Sequence, residues 1–343
     1  MTTATADQGT RSGPERSRPP FEQWFPGAPM DATYGYDLDG LLQVSAPQPP
    51  EDFADFWRGL HAQARQVAPA PELAGYPMTA PAHTVHRVDF TSLGGLRLGG
   101  WVALPTQQPA RVGVVVSHGY GGREEPELAG IPDDAAVIFP VARGLPSVSL
   151  MPQVRRPTDG HVLEGIESRE SYVLGGCAAD VWCAGSALTE LVGELPLVFV
   201  GGSFGGGQGA LALPWDSRFV AGALRVPSFG QYDLRLHLPC TGSGERVREH
   251  VSLHPRAREV LRYFDAATAA GFLTVPTLMA CALWDPAVPP PGQFAVHNAA
   301  RGATGERARL QVLAAGHETY PQETADGAVW WRGVHQLVSS VPG

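Results

Sequence analysis

A mostly parallel, doubly wound α/β sheet with helices on both faces is the fold class that the 343-residue sequence predicts, and three observations predict it. Apolar runs with little alternation stand at 111–119, 135–140, 195–202, 219–227, 275–285 and 308–317, the pattern of strands buried on both faces. Helical patterns lie between several of them, at 170–192, after Ser203, at 291–300 and across 322–338. With 43% apolar and 17% charged residues, the chain can bury a large core, yet no run approaches the roughly 18 apolar residues of a membrane span.

From the start, residues 1–25 read as a disordered tail, and "MTTATADQGTRSGPERSRPP" lacks the apolar stretch of a secretory signal. Residues 26–343 read as one domain. Within it, 51–67 places Phe53, Phe56, Trp57 and Leu60 at helical spacing behind a Pro-Pro stop. The stretch 86–105 holds two short alternating runs divided by Gly94-Gly95, which predicts an antiparallel hairpin ahead of the core strands. An insertion of helical and irregular sequence at about 228–265 interrupts the strand-helix rhythm and is placed to shape a pocket mouth.

Charge and composition exclude several functions. The net charge of -9 and the scatter of the 25 basic residues argue against a nucleic-acid surface. All 25 are arginine, so Schiff-base chemistry, pyridoxal phosphate attachment and a Walker-type phosphate loop are excluded. Cys177, Cys183, Cys240 and Cys281 form no C-x-x-C pair and read as buried free thiols in a reducing cytoplasm.

The stretch "LPLVFVGGSFGGGQGALAL" (195–213) fits two signatures at once. Read from Gly205 it is a dinucleotide fingerprint, which needs an acid about 20 residues on at the end of the next strand. That region reads "ALRVPSF" and holds none. Read from Gly201 it is G-x-S-x-G, the turn that lifts a nucleophilic serine above a sheet.

The serine reading requires an acid and then a histidine downstream, each at the carboxyl end of a core strand. Asp285 closes the run 275–285 and His317 closes the run 308–317. The order Ser203, Asp285, His317 is that of an α/β-hydrolase. A serine hydroxyl is a weak nucleophile near neutrality; the histidine takes its proton, and a buried carboxylate holds the imidazole in the right tautomer. The oxyanion of the tetrahedral intermediate needs donors, for which the backbone N–H groups of Phe204 and of Tyr120, in "SHGYGG" (117–122), are the candidates. Tyr120 and Phe204 are also the candidate substrate contacts.

Other polar residues have plainer readings. His118 is expected to find a partner within its own loop, and Asp265 to cap the helical stretch after it. His250 and His254 stand at i, i+4 without the glutamate of a metalloprotease motif, so a solvated helix face is expected rather than a metal site.

With these residues assembled, the chain resembles the acetyl xylan esterase and cephalosporin C deacetylase family, carbohydrate esterase family seven, over roughly residues 30–340. The resemblance rests on "PEDFADFW", "GGLRLGGWVALP", "HGYGG", Ala142-Arg143-Gly144, "GIESRESY" with Asp180 after it, "GGSFGGG", "YFDAATAA", "WDPAVPP" with "FAVHN", and "GHE" at 316–318. It implies an α/β-hydrolase that cleaves acetyl esters of short xylo-oligosaccharides and of cephalosporin C through Ser203, Asp285 and His317. It further implies no metal or organic cofactor, a hexamer of the trimer-of-dimers kind and a cytoplasmic location; charge and the lack of a long apolar run argue against nucleic-acid and membrane partners.

Three departures stand out. Phe204 occupies the place of a glutamine after the nucleophile, Val141 replaces an aspartate two residues before the Arg-Gly pair, and the segment 143–165 is a few residues short. They leave the acyl-pocket shape, sugar contacts and oligomer contacts open. A general short-chain carboxylesterase, or a serine peptidase or lipase on the same fold, is the alternative reading; a non-catalytic binding protein is the third.

Overall fold

The computed structural model describes residues 19–342. Its strands are β1 (Glu72–Thr79), β2 (His83–Ser92), β3 (Leu96–Pro105), β4 (Val112–Val116), β5 (Ala135–Pro140), β6 (Leu197–Gly202), β7 (Phe219–Arg225), β8 (Thr277–Trp284) and β9 (Ala308–Ala315). They form one sheet in the order β1-β2-β3-β5-β4-β6-β7-β8-β9. From β5 onward every pair is parallel, while β1, β2, β3 and the β3–β5 contact are antiparallel. The chain therefore has the α/β-hydrolase fold, with the hairpin as an antiparallel extension of a parallel sheet.

Every residue of β4 and of β5 is buried, as their unbroken apolar runs require when helices cover both faces. The hairpin pairs in register from His83↔Pro105 to Ser92↔Leu96 and turns at Gly94 and Gly95, both at positive φ. The sequence reading passes over β1. Its Gly75 and Pro77 weaken a strand pattern, and β1 lies at the sheet edge, where such residues are tolerated and where its pairing slips between Ala74 and Met78.

The helices are α1 (Phe21–Trp24), α2 (Leu38–Leu41), α3 (Phe53–Arg65), α4 (Val173–Val192), α5 (Phe204–Ala212), α6 (Tyr232–Arg235), α7 (Gly244–Leu253), α8 (Ala257–Leu261), α9 (Ala266–Ala270), α10 (Pro290–Thr304) and α11 (Glu323–Ser339). In α3, Phe53, Trp57 and Ala64 face the core, where Trp57 stacks 6.3 Å from Trp215 and meets Trp182 edge-on at 6.4 Å. The insertion at 228–265 supplies α6, α7 and α8.

Of the expected tail at 1–25, residues 1–18 lie outside the described residues. Residues 19–25 differ from that expectation: α1 buries Phe21, and Phe25 stacks 3.9 Å from Trp284 at the end of β8. Aromatic burial of this size outweighs the chain entropy of one short turn.

Candidate active site

Ser203 sits between β6 and α5 at φ 56 and ψ -116, a strained conformation that turns its hydroxyl out above the sheet. The turn is tight. A Cβ on Gly201 would lie 2.6 Å from the Gly205 carbonyl oxygen, and one on Gly205 would lie 2.8 Å from that of His118. Only glycine allows so close an approach of strand, turn and helix.

The parallel order of β6, β7, β8 and β9 brings three distant residues to one edge of the sheet. His317 Nε2 lies 2.8 Å from Ser203 Oγ, and His317 Nδ1 lies 2.8 Å from Asp285 Oδ2. Because a carboxylate accepts, Nδ1 carries the proton, and Nε2 is free to accept from the serine hydroxyl. Asp285 is fully buried: its Oδ1 accepts from Ala287 N and Val288 N, each at 2.9 Å, and its Oδ2 also accepts from Gln293 Nε2 at 2.9 Å. Burial alone would lower the His317 pKa, but the hydrogen bond and charge of Asp285 outweigh it and hold the imidazole above its ordinary value.

Phe204 opens α5, so its N–H is one of the donors a helix start leaves without an intrahelical acceptor. Among the described residues neither this N–H nor that of Tyr120 is taken by a turn or loop hydrogen bond. The Phe204 side chain is buried, with its ring 5.6 Å from Tyr120, 5.8 Å edge-on from Phe229 and 6.2 Å from His118. The Tyr120 hydroxyl donates to His161 Nδ1 at 3.1 Å, since His161 Nε2 must donate to the Arg143 carbonyl at 2.9 Å.

The remaining polar candidates fall into place around this edge. His118 Nε2 accepts from Ala142 N at 3.0 Å and its Nδ1 donates to the Gly119 carbonyl at 2.7 Å, so the ring is neutral and tied to its loop. Burial pushes its pKa down to about 4. Asp265 caps α9, accepting from Ala267 N and Thr268 N at 2.9 Å each, and from Tyr232 N at 2.7 Å. The rings of His250 and His254 lie 4.5 Å apart on α7, and among the described residues no group of three His, Cys, Asp or Glu is placed to hold a metal. The four cysteines are buried and free.

Sequence reasoning missed Gln293, His161 and Phe229. Gln293 left one signal, a polar residue amid the apolar face of "PGQFAVHNAA". His161 and Phe229 lie in irregular segments whose path the sequence does not show.

A family profile described as "Acetyl xylan esterase (AXE1)" matches residues 37–332. This chain belongs to the acetyl xylan esterase family. It is a carboxylic ester hydrolase. Among solved structures, acetyl xylan esterase 1 from a Thermoanaerobacterium species is similar, with 20% identity, 88% of this chain and 99% of that chain covered, and a TM-score of 0.73. An acetyl xylan esterase from a Paenibacillus species gives 22%, 87%, 99% and 0.72. The acylaminoacyl peptidase of Pyrococcus horikoshii gives a TM-score of 0.54 at 15% identity, over 76% of this chain and 41% of that one. At such identities these structures bear on the fold. Among the described residues no helix is long and apolar enough to cross a membrane.

Proposed function

We propose that the chain removes acetyl groups from short acetylated carbohydrates, xylo-oligosaccharides among them, by way of an acyl-enzyme on Ser203. The observation that carries this reading is the unbroken hydrogen-bond chain from Ser203 through His317 to Asp285. His317 takes the serine proton as Oγ attacks the acetyl carbonyl, and Asp285 holds the imidazolium that forms. The N–H groups of Phe204 and Tyr120 receive the oxyanion. Collapse breaks the ester bond; the sugar alcohol leaves with the proton from His317 and the acetyl group stays on Oγ. Water then attacks, His317 again takes a proton, and acetate departs as Ser203 is regenerated. No metal or cofactor enters this cycle.

Family membership supports acetyl as the acyl group, and the buried Phe204 ring supports a short acyl pocket. The acetoxymethyl ester of cephalosporin C offers the same acyl group on another alcohol and belongs to the same proposal. So do a cytoplasmic location and a hexamer. A general short-chain carboxylesterase is the second reading, favoured by the apolar Phe204 directly after the nucleophile, packed on Phe229. The deciding experiment is a hydrolysis panel of acetylated xylo-oligosaccharides, cephalosporin C and p-nitrophenyl esters of rising chain length. A preference for acyl groups longer than acetyl would overturn the deacetylase reading.

A further inference from the structure

Arg235 ends α6 and is only 6% exposed, yet among the described residues it forms no ion pair. Its Nε is buried and bonded to nothing, and among the described residues its terminal nitrogens take part in no hydrogen bond or ion pair. The nearest π face, that of Tyr232, lies 5.9 Å from the guanidinium carbon, at the outer limit of a cation–π contact. Only Nε is cut off from water; the unbonded terminal nitrogens of so deeply set a guanidinium are open to an anion from outside the chain.

The guanidinium packs on Gly244, where a Cβ would lie 2.0 Å from Nη2. Gly244 is the first residue of the ten-residue helix α7, whose N-cap, Ser243, supplies no side-chain hydrogen bond. A helix start presents N–H groups and the positive end of the helix dipole, although at α7 the Glu245 N–H is already taken by the Gly242 carbonyl at 3.1 Å. Two positive fields thus converge on one spot. The acids nearby are engaged elsewhere: Glu245 accepts from Cys240 N at 3.0 Å and pairs with Arg248, and Asp233 lies 4.0 Å from Arg258. Of the other cations, Arg246 donates to the Pro157 and Thr158 carbonyls at 3.2 and 3.3 Å. One planar guanidinium with one helix start matches the two oxygens of a carboxylate better than a phosphate, which gathers several cations.

This spot adjoins the loop after Asp285. Thr241 N donates to the Pro286 carbonyl at 2.7 Å, a Cβ on Gly242 would lie 2.6 Å from the Ala287 carbonyl oxygen, and Ala287 N donates to Asp285. On the other side the Tyr34 hydroxyl donates to the Pro239 carbonyl at 2.7 Å, while Asp285 N donates to the Ala32 carbonyl at 3.1 Å.

We propose that Arg235 and the first turn of α7 bind a carboxylate carried by the ester substrate, so that the chain prefers acetyl esters of acidic alcohols, such as acetylated uronic acids, over neutral ones. This rests on the esterase reading above. The first test compares acetate release from an acetylated methyl glucuronoside and an acetylated methyl xyloside. Wild type is expected to favour the acid in kcat/KM by about tenfold or more, the size of a charge-assisted pair. Arg235→Gln is expected to bring that ratio near one, with Arg235→Lys between. A wild-type ratio at or below one, or a ratio that Arg235→Gln leaves within about twofold, overturns the proposal.

A second readout needs no turnover. Glucuronate, and not xylose, should raise the Tm of the Ser203→Ala protein, and adding Arg235→Gln should abolish the shift. If wild type cleaves neither ester, the proposed deacetylation of sugars falls and this shift alone decides the carboxylate site. A shift equal in both proteins, or none in either, overturns it.

Discussion

Gln293 Nε2 donates at 2.9 Å to the same Asp285 oxygen that faces His317 Nδ1. The amide is itself pinned, since its Oε1 accepts from Ala282 N at 2.8 Å and its Nε2 also donates to the Val288 carbonyl at 2.6 Å. Helix α10 thereby fixes the aim of the carboxylate that orients the imidazole. Gln293→Leu should cost about 1–3 kcal/mol of stability, from buried groups left unpaired. In the protein that remains folded, kcat should fall by about tenfold with KM little changed, the pattern of a lost positioning contact. A denaturant titration and steady-state kinetics on one preparation check both parts.

Ser203→Ala should remove nearly all turnover, on the order of 10⁶, with the fold intact. Asp285→Asn should be milder, because the acid orients and stabilises without attacking. Asp265 is the control. Burial raises its pKa to about 6, and its cap on α9 ties in Tyr232 of the insertion. Asp265→Asn keeps an N-cap oxygen for α9 but sets an amide NH2 against the buried Tyr232 N–H, and should lower Tm by the loss of about 1–3 kcal/mol while the folded fraction keeps its kcat. Loss of kcat at Asp265 with Asp285→Asn still active would move the acid to the other residue.

Activity should rise with pH through the ionisation of His317, with a midpoint above 6.5 because Asp285 holds the imidazole pKa up. Stability runs the other way. A folded-state pKa above the unfolded one means that the His317–Asp285 pair contributes fully below the unfolded pKa and loses that contribution as pH rises through the folded one. The stability gap between wild type and His317→Gln should accordingly narrow as pH rises, while wild-type kcat/KM grows. A gap that widens with pH would show that the imidazole is held below its ordinary pKa.

Much of this site was legible because it lies where strands end. Ser203, Asp285 and His317 each close an apolar run, and a parallel sheet brings such ends to one edge whatever the loop lengths between them. Gln293 was not legible, because its role depends on how α10 packs against β8, a contact with no local signature. Arg235 was hidden for a related reason: a sequence shows an arginine, but only packing shows that it is buried with no ion pair among the described residues. The edge strand β1 escaped because its Gly75 and Pro77 obey the rules of an edge, not of a core strand.

By family resemblance the chain should assemble as a hexamer, with the β2–β3 hairpin and the N-terminal region as contact surfaces. Light scattering over a wide concentration range checks this. A monomer throughout would direct attention to the short 143–165 segment, which closes on itself through the His161–Arg143 hydrogen bond at 2.9 Å and is held to the start of α4 by the Tyr172–Val162 bond at 3.0 Å.

Acyl length turns on Phe204. Its ring follows Ser203 by one residue and is packed among Tyr120, His118 and Phe229, and the short-acyl reading requires that it close the acyl pocket. A methylene that fitted an apolar pocket would gain about 0.8 kcal/mol, close to fourfold in kcat/KM, whereas one that met a fixed ring would lose more than that. Wild-type kcat/KM should therefore fall steadily from acetyl through butyryl to octanoyl p-nitrophenyl esters. Phe204→Leu keeps an apolar core residue but removes the ring, and should move the preference toward butyryl by about fourfold for each methylene newly accommodated. A wild-type optimum at butyryl or beyond would mean that the ring lines the acyl pocket instead of closing it, and that the chain is a general carboxylesterase.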